Sequence, residues 1–164
     1  MCIMLFKKKI PRKWEFGPKP EVNWYAKIKS KYDLQLVCKI ILTEILGITD
    51  VVLNVFTNDA MLKRFDTDDF KIQAVLSRAG KTNMYALHLK SDVSDIIDII
   101  CHEMVHLSQY NRGDLSLSGT TFYWKGKEYK NILYWDRPWE KEAKREQYKI
   151  EKQLKKLYYE ADCR

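Results

Sequence analysis

The sequence predicts an α+β domain, and three observations predict it. Two stretches with helical apolar spacing enclose three segments rich in β-branched and aromatic residues, a glycine-centred hairpin signal follows, and a long charged helix closes the chain. The expected order is an N-terminal helix, a small three-stranded sheet, a second helix, a hairpin and a final helix. With 164 residues, 46% hydrophobic and 31% charged, the balance is globular and the length is that of one domain able to bury its own core.

The chain starts with a basic segment. Residues 1–31 hold 9 Lys+Arg against 2 Asp+Glu, whereas the rest of the chain is balanced at 20 against 20, so the net charge of +7 belongs to this end. Within it, "KIPRKWEFGPKPEVNWY" has three prolines, a glycine and two tryptophans, which predicts an extended arm packed by its aromatics. The expected division is therefore an arm over 1–31 and a domain over 32–164. Such an arm suits an acidic partner surface such as nucleic acid, phospholipid or an acidic protein, although a simple solvated tail explains the charge equally well.

From Tyr32 to Leu46, apolar residues at Leu34, Val37, Cys38, Ile41, Leu42, Ile45 and Leu46 recur at helical spacing, and Gly47 is a fitting stop. "VVLNVFTND", "FKIQAVLSRA" and "NMYALHLK" read as three strands, with "DTDD" at 66–69 as a polar turn between two of them. Ser91 or Asp92 is the expected cap of a helix through Val93, Ile96, Ile97, Ile100, Met104 and Leu107. "TTFYWKGKEYKN" reads as two short strands turning at Lys125 and Gly126, and Pro138 starts the last helix.

The second helix carries "CHEMVHLSQY", which contains two of the chain's three histidines. At about 100° per residue His102 and His106 fall together, away from the stripe of Ile96, Ile97, Ile100, Met104 and Leu107. Imidazoles at i and i+4 can reach one metal ion, and Glu103 stands one step round, where a general base for metal-assisted hydrolysis is needed. A catalytic zinc requires a third protein ligand, and no histidine follows His106. An acidic ligand is left, and "RPWEKEA" offers Glu140 and Glu142; first-turn acids also simply suit a helix dipole.

"HEMVH" followed by "YWDRPWEKEA" resembles the compact zincin-like HExxH metallopeptidases, especially those encoded by tailed bacteriophages with a Pro-Trp-Glu-x-Glu-Ala segment. The likeness covers roughly residues 85–148 and extends distantly to the ImmA/IrrE class, whose third ligand is a glutamate before an alanine. The SprT-like proteases share the strand and HExxH helix, but they close the site with a third histidine that this chain lacks. After Ala143 the chain also departs from the Asn-x-Phe-Ala run of many ImmA-like proteins.

The resemblance implies a zincin-like fold and a zinc-dependent peptidase hydrolysing peptide bonds with metal-activated water. Its ligands would be His102, His106 and Glu140, with Glu142 as the fallback, and its general base Glu103. Zincins pair a strand edge with the substrate backbone, which here implies Tyr85, Ala86, Leu87 and His88, by strand addition. Tyr110, Tyr123, Tyr134 and Arg137 are the available oxyanion donors, and the sequence does not rank them.

The expected partners are a protein or peptide substrate and, through residues 1–31, nucleic acid or phage virion proteins. The alternative function is a non-catalytic virion or nucleoprotein component on the same scaffold. "MCIMLFKKKIPRK" puts its short apolar run before the lysines, opposite to a secretory signal, and no segment reaches membrane-spanning length. The four cysteines are scattered without a CxxC pair, which predicts reduced thiols. The expected setting is the bacterial host cytoplasm or an assembling phage particle, with no membrane.

Overall fold

A computed structural model describes residues 19–66 and 71–162. Its first element is a strand, β1 (Glu21–Trp24), followed by helix α1 (Leu34–Ile40), which runs on into a π-helical turn at Ile41–Ile45. Asp33 caps α1 by accepting from the Leu36 N–H at 3.1 Å. Gly47, at φ +66°, takes the left-handed conformation that ends such a helix at no side-chain cost.

Strand β2 (Val52–Thr57), a short helix α2 (Asp59–Lys63), β3 (Ala74–Arg78) and β4 (Met84–Leu89) come next. They form one sheet in the order β1-β2-β4-β3, with β1, β2 and β4 parallel and β3 antiparallel at one border. The expected three strands are thus four. The fourth, β1, comes from the stretch read as an arm: Glu21 pairs with Val52 and Trp24 with Val55, so that segment ends inside the sheet. Pro20 immediately before β1 suits a border strand, where a missing N–H is tolerated. Residues 1–18, most of the expected arm, and residues 67–69 of the acidic turn lie outside the described residues.

Helix α3 (Ile96–Asn111) holds both histidines. It starts later than expected, because the Ser91 N–H is held by the Asp59 carboxylate at 2.8 Å and Asp95 takes the cap position. A second sheet, β5 (Leu115–Ser118), β6 (Thr121–Trp124) and β7 (Lys127–Tyr129), adds one strand to the expected hairpin. Its tight turn has Lys125 and Gly126 at φ 50° and 80°, the geometry of a two-residue hairpin loop. A 3-10 turn (Tyr134–Asp136) leads into α4 (Pro138–Asp162).

The core lies between one sheet face and the helices. Leu53 and Val55 of β2, Tyr85, Leu87 and Leu89 of β4, Val37 and Cys38 of α1, and Ile100, Met104 and Leu107 of α3 are all buried in it. Helix α4 packs along α3 through Trp139, Ala143, Ile150 and Leu154, so the histidine side of α3 is covered as well. Cys38 and Cys101 are buried free thiols. No helix among the described residues is long and apolar enough to cross a membrane. The architecture is α+β with two small sheets.

Candidate metal centre

Two packed helices make the centre. His102 and His106 lie one turn apart on α3, and Glu140 lies in the first turn of α4. Ala143, fully buried one turn beyond Glu140, carries no side chain that would hold the helices apart. The small sheet fixes the start of α4: Trp139 stacks on Phe122 at 4.9 Å and meets Tyr129 edge-on at 5.6 Å. That anchoring decides which way Glu140 points.

The three donor atoms form a nearly equilateral triangle. His102 Nε2 and His106 Nε2 are 3.1 Å apart, and Glu140 Oε2 stands 3.2 Å from the first and 3.3 Å from the second. A tetrahedral ion with metal–ligand bonds of about 2.0–2.1 Å needs donors about 3.3 Å apart, so the residues fit one ion without rearrangement. Among the described residues, His102, His106 and Glu140 are a group that can hold a metal ion.

The electrostatics agree with a cation site. Burial by itself would raise the Glu140 carboxyl, but hydrogen bonds from His102 and His106 and their charges bring it far below the usual carboxylate range. Burial would lower His106, yet its bond to Glu140, the charges of Glu103 and Glu140, and a bond to Gln109 carry it up to about 9. A proton therefore stands in for part of the positive charge that the triangle attracts.

Glu103 is 8% exposed and lies beside the triangle without belonging to it. Burial raises its pKa; the two histidines oppose the shift, Glu140 adds to it, and the Leu76 backbone N–H moderates it. A carboxylate raised in this way accepts a proton more readily than one at its ordinary value. Glu142, the fallback ligand, is turned elsewhere: it accepts from Gln109 Nε2 at 2.9 Å and from Arg112 at 3.1 Å. It does not join the triangle, and Glu140 does.

The expected substrate strand is corrected by the sheet order. β4 is an inner strand, bonded to β2 on one side and β3 on the other, so no backbone edge is left at Tyr85, Ala86, Leu87 and His88. Tyr85 and Leu87 are core residues. His88 belongs to the opposite sheet face, stacked on Phe56 at 5.6 Å, and burial lowers its pKa. Strand order is a tertiary property, which position before the histidine helix does not reveal.

Of the oxyanion candidates, Tyr134 reaches the centre. Burial, the Glu140 charge and a hydrogen bond to Glu140 all raise its pKa. Arg137 instead lies over the rings of Phe122 and Tyr134 at 5.5 and 5.6 Å, its Nε buried without a hydrogen-bond partner. Tyr110 is buried, and burial with the Glu103 and Glu140 charges pushes its hydroxyl up to about 12. Tyr123 lies on β6 opposite Glu128.

Two residues beside the triangle carry no signal in the histidine motif itself. Gln109 Oε1 is 2.8 Å from His106 Nδ1, and Gln147 Oε1 is 3.2 Å from His102 Nδ1. Their spacing is a usable signal: Gln109 follows His106 by three residues, and Gln147 follows Glu140 by seven, so each shares a helix face with a ligand. No protein-family model, curated protein or solved structure matches the chain.

Proposed function

We propose that the chain is a zinc-dependent peptidase of the zincin type. The observation that carries this reading is the triangle of His102, His106 and Glu140 with the buried Glu103 carboxylate beside it. Two imidazoles and one carboxylate are a donor set suited to zinc, and three protein ligands leave a fourth position for water or substrate. A bound zinc ion would supply Lewis acidity, making water acidic near neutral pH and polarising a peptide carbonyl.

The chain's own groups do the rest. Glu103, held above the usual carboxylate range, takes the proton of the attacking water and returns it to the leaving amine. The Tyr134 hydroxyl, already within hydrogen-bonding reach of Glu140, donates to the oxygen that becomes negative as the carbonyl is attacked.

The substrate edge belongs to β3. In its pairing with β4, the Ala79 N–H reaches Met84 and the Lys90 N–H reaches Gln73, so odd-numbered residues of this strand bond inward. The backbone groups of Ala74 and Arg78 and the Leu76 carbonyl therefore face away from β4, while the Leu76 N–H is already held by Glu103. A peptide laid along that border gains main-chain hydrogen bonds with little demand on sequence. The setting proposed with this activity is a bacterial cytoplasm or an assembling phage particle.

The test is Glu103→Gln. It keeps the shape and all three ligands, so zinc is retained, while peptide turnover falls by about 10²–10⁴. Equal turnover in the variant removes the assignment.

A second reading rests on charge. A non-catalytic protein on the same scaffold would use the basic N-terminal residues to bind nucleic acid or acidic virion proteins, since the whole +7 belongs to residues 1–31. Because β1 is part of the sheet, the deletion that tests it removes only residues 1–18. Salt-sensitive nucleic-acid binding lost on that deletion supports this reading, and binding unchanged across salt ends it.

A further inference from the structure

An imidazole has two nitrogens, and an ion at one of them requires that the proton stay on the other. His102 and His106 both turn Nε2 to the triangle, so Nδ1 must keep its hydrogen. In both rings Nδ1 faces a glutamine. A glutamine amide can present oxygen or nitrogen, so the amide alone decides nothing.

What lies behind each amide decides it. Gln109 Nε2 donates to the Trp139 carbonyl and to Glu142 Oε2, both at 2.9 Å. Turning the amide would set its oxygen against two other oxygens in a fully buried place. Gln147 Nε2 donates to Glu151 Oε1 at 2.7 Å, and the same turn would press two oxygens together there. Each glutamine therefore shows its oxygen to a histidine, and only an N–H satisfies that oxygen.

We infer that Gln109 and Gln147 are positioning residues, which hold the proton on Nδ1 of both histidines and reserve both Nε2 atoms for the ion. The inference rests on the metal-centre reading of the triangle. Two relays carry it, Glu142 to Gln109 to His106 and Glu151 to Gln147 to His102. Glu142 thus has a place in the site although it is not a ligand, and Arg112 at 3.1 Å keeps it oriented. Gln147 and Glu151 lie 7 and 11 residues beyond Glu140 on the same helix. The docking of α4 therefore delivers a ligand and the orientation of another ligand together. Donation from Nδ1 to a polarised oxygen also makes Nε2 more basic, and losing such a partner typically lowers metal affinity about 10–100-fold.

The experiment reads the histidine ring nitrogens of the full-length ¹⁵N-labelled chain by NMR, metal-free and zinc-loaded, beside zinc affinity measured by chelator competition. In wild type both rings carry a protonated Nδ1 whose hydrogen is protected from exchange. Gln147→Leu, at a partly exposed position, removes that protection at His102 and weakens zinc about 10–100-fold. Gln147→Glu combined with Glu151→Gln restores an acceptor on His102 and a donor behind it, and so restores both protection and affinity. A bare Nδ1 on either ring in wild type overturns the inference. So does a Gln147→Leu protein whose protection and affinity are unchanged. If wild type binds no zinc, the metal-centre reading falls, and the metal-free ring spectra still decide the relays.

Discussion

A metal ion taken up by the triangle of His102, His106 and Glu140 would have to displace a proton, at a cost set by the pKa of His106. In the metal-free protein His106 titrates at about 9, raised against its burial chiefly by Glu140 and Glu103. At neutral pH that imidazole is charged, and an ion can take Nε2 only after the proton leaves. Zinc affinity should therefore climb about tenfold per pH unit between roughly pH 7 and 9, about 100-fold in all, or about 2.7 kcal/mol. Glu140→Gln keeps the shape but removes the carboxylate that raises His106, so the slope should flatten along with the loss of affinity. Titration calorimetry in buffers of different ionisation enthalpy counts the proton directly. About one proton should be released per zinc at pH 7. Equal affinity at pH 7 and 9, with no proton released, would refute the reasoning.

The same shifts set the stability of the metal-free chain. His106, raised from 6.5 to about 9, contributes fully below 6.5 and loses its contribution as pH climbs through 9; Glu140, depressed, contributes above its ordinary 4.5 and loses it as pH falls. Denaturant midpoints should accordingly be highest between about pH 4.5 and 6.5 without metal, and the decline towards high pH should shrink when zinc is bound. Ala143→Leu should cost about 1–3 kcal/mol by overpacking the α3–α4 contact and weaken zinc at the same time, which a combined urea and chelator titration reads. Trp139→Ala should cost about 3–5 kcal/mol and loosen the start of α4, so zinc affinity should fall although no ligand has changed.

The parts of this molecule that were legible in the sequence are those in which a local pattern and a tertiary contact agree. Helix α3 was readable because one apolar stripe repeats over four turns, and the start of α4 because Pro138 suits a first helical position. Glu140 could be narrowed to one of two acids but not chosen from spacing alone. The choice depends on Trp139 seating in the aromatic cluster of the small sheet, which turns Glu140 inward and leaves Glu142 to Gln109 and Arg112. Strand β1 was hidden because four residues that follow a proline and end in a tryptophan read as extended chain, and only pairing with β2 makes them a strand.

The histidine side of α3 reads as polar, and a polar face usually means solvent. Here it meets Glu140, Gln147 and Ala143 of α4, and no single-helix periodicity separates water from a partner helix that carries polar groups of its own. The inner place of β4 has a similar origin, since an alternating strand looks alike at the middle and at the border of a sheet.

Metal content tests the central claim most directly. Purified protein supplied with zinc and then freed of loose metal should hold one ion per chain by elemental analysis, and Glu142→Ala should keep a measurable share of it. His106→Ala and Glu140→Ala should each weaken binding by roughly 100-fold or more, taking about a quarter of the 10–16 kcal/mol typical of a four-ligand site. A wild-type chain without metal, or a Glu140→Ala chain that holds zinc as tightly as wild type, would contradict the assignment of the triangle.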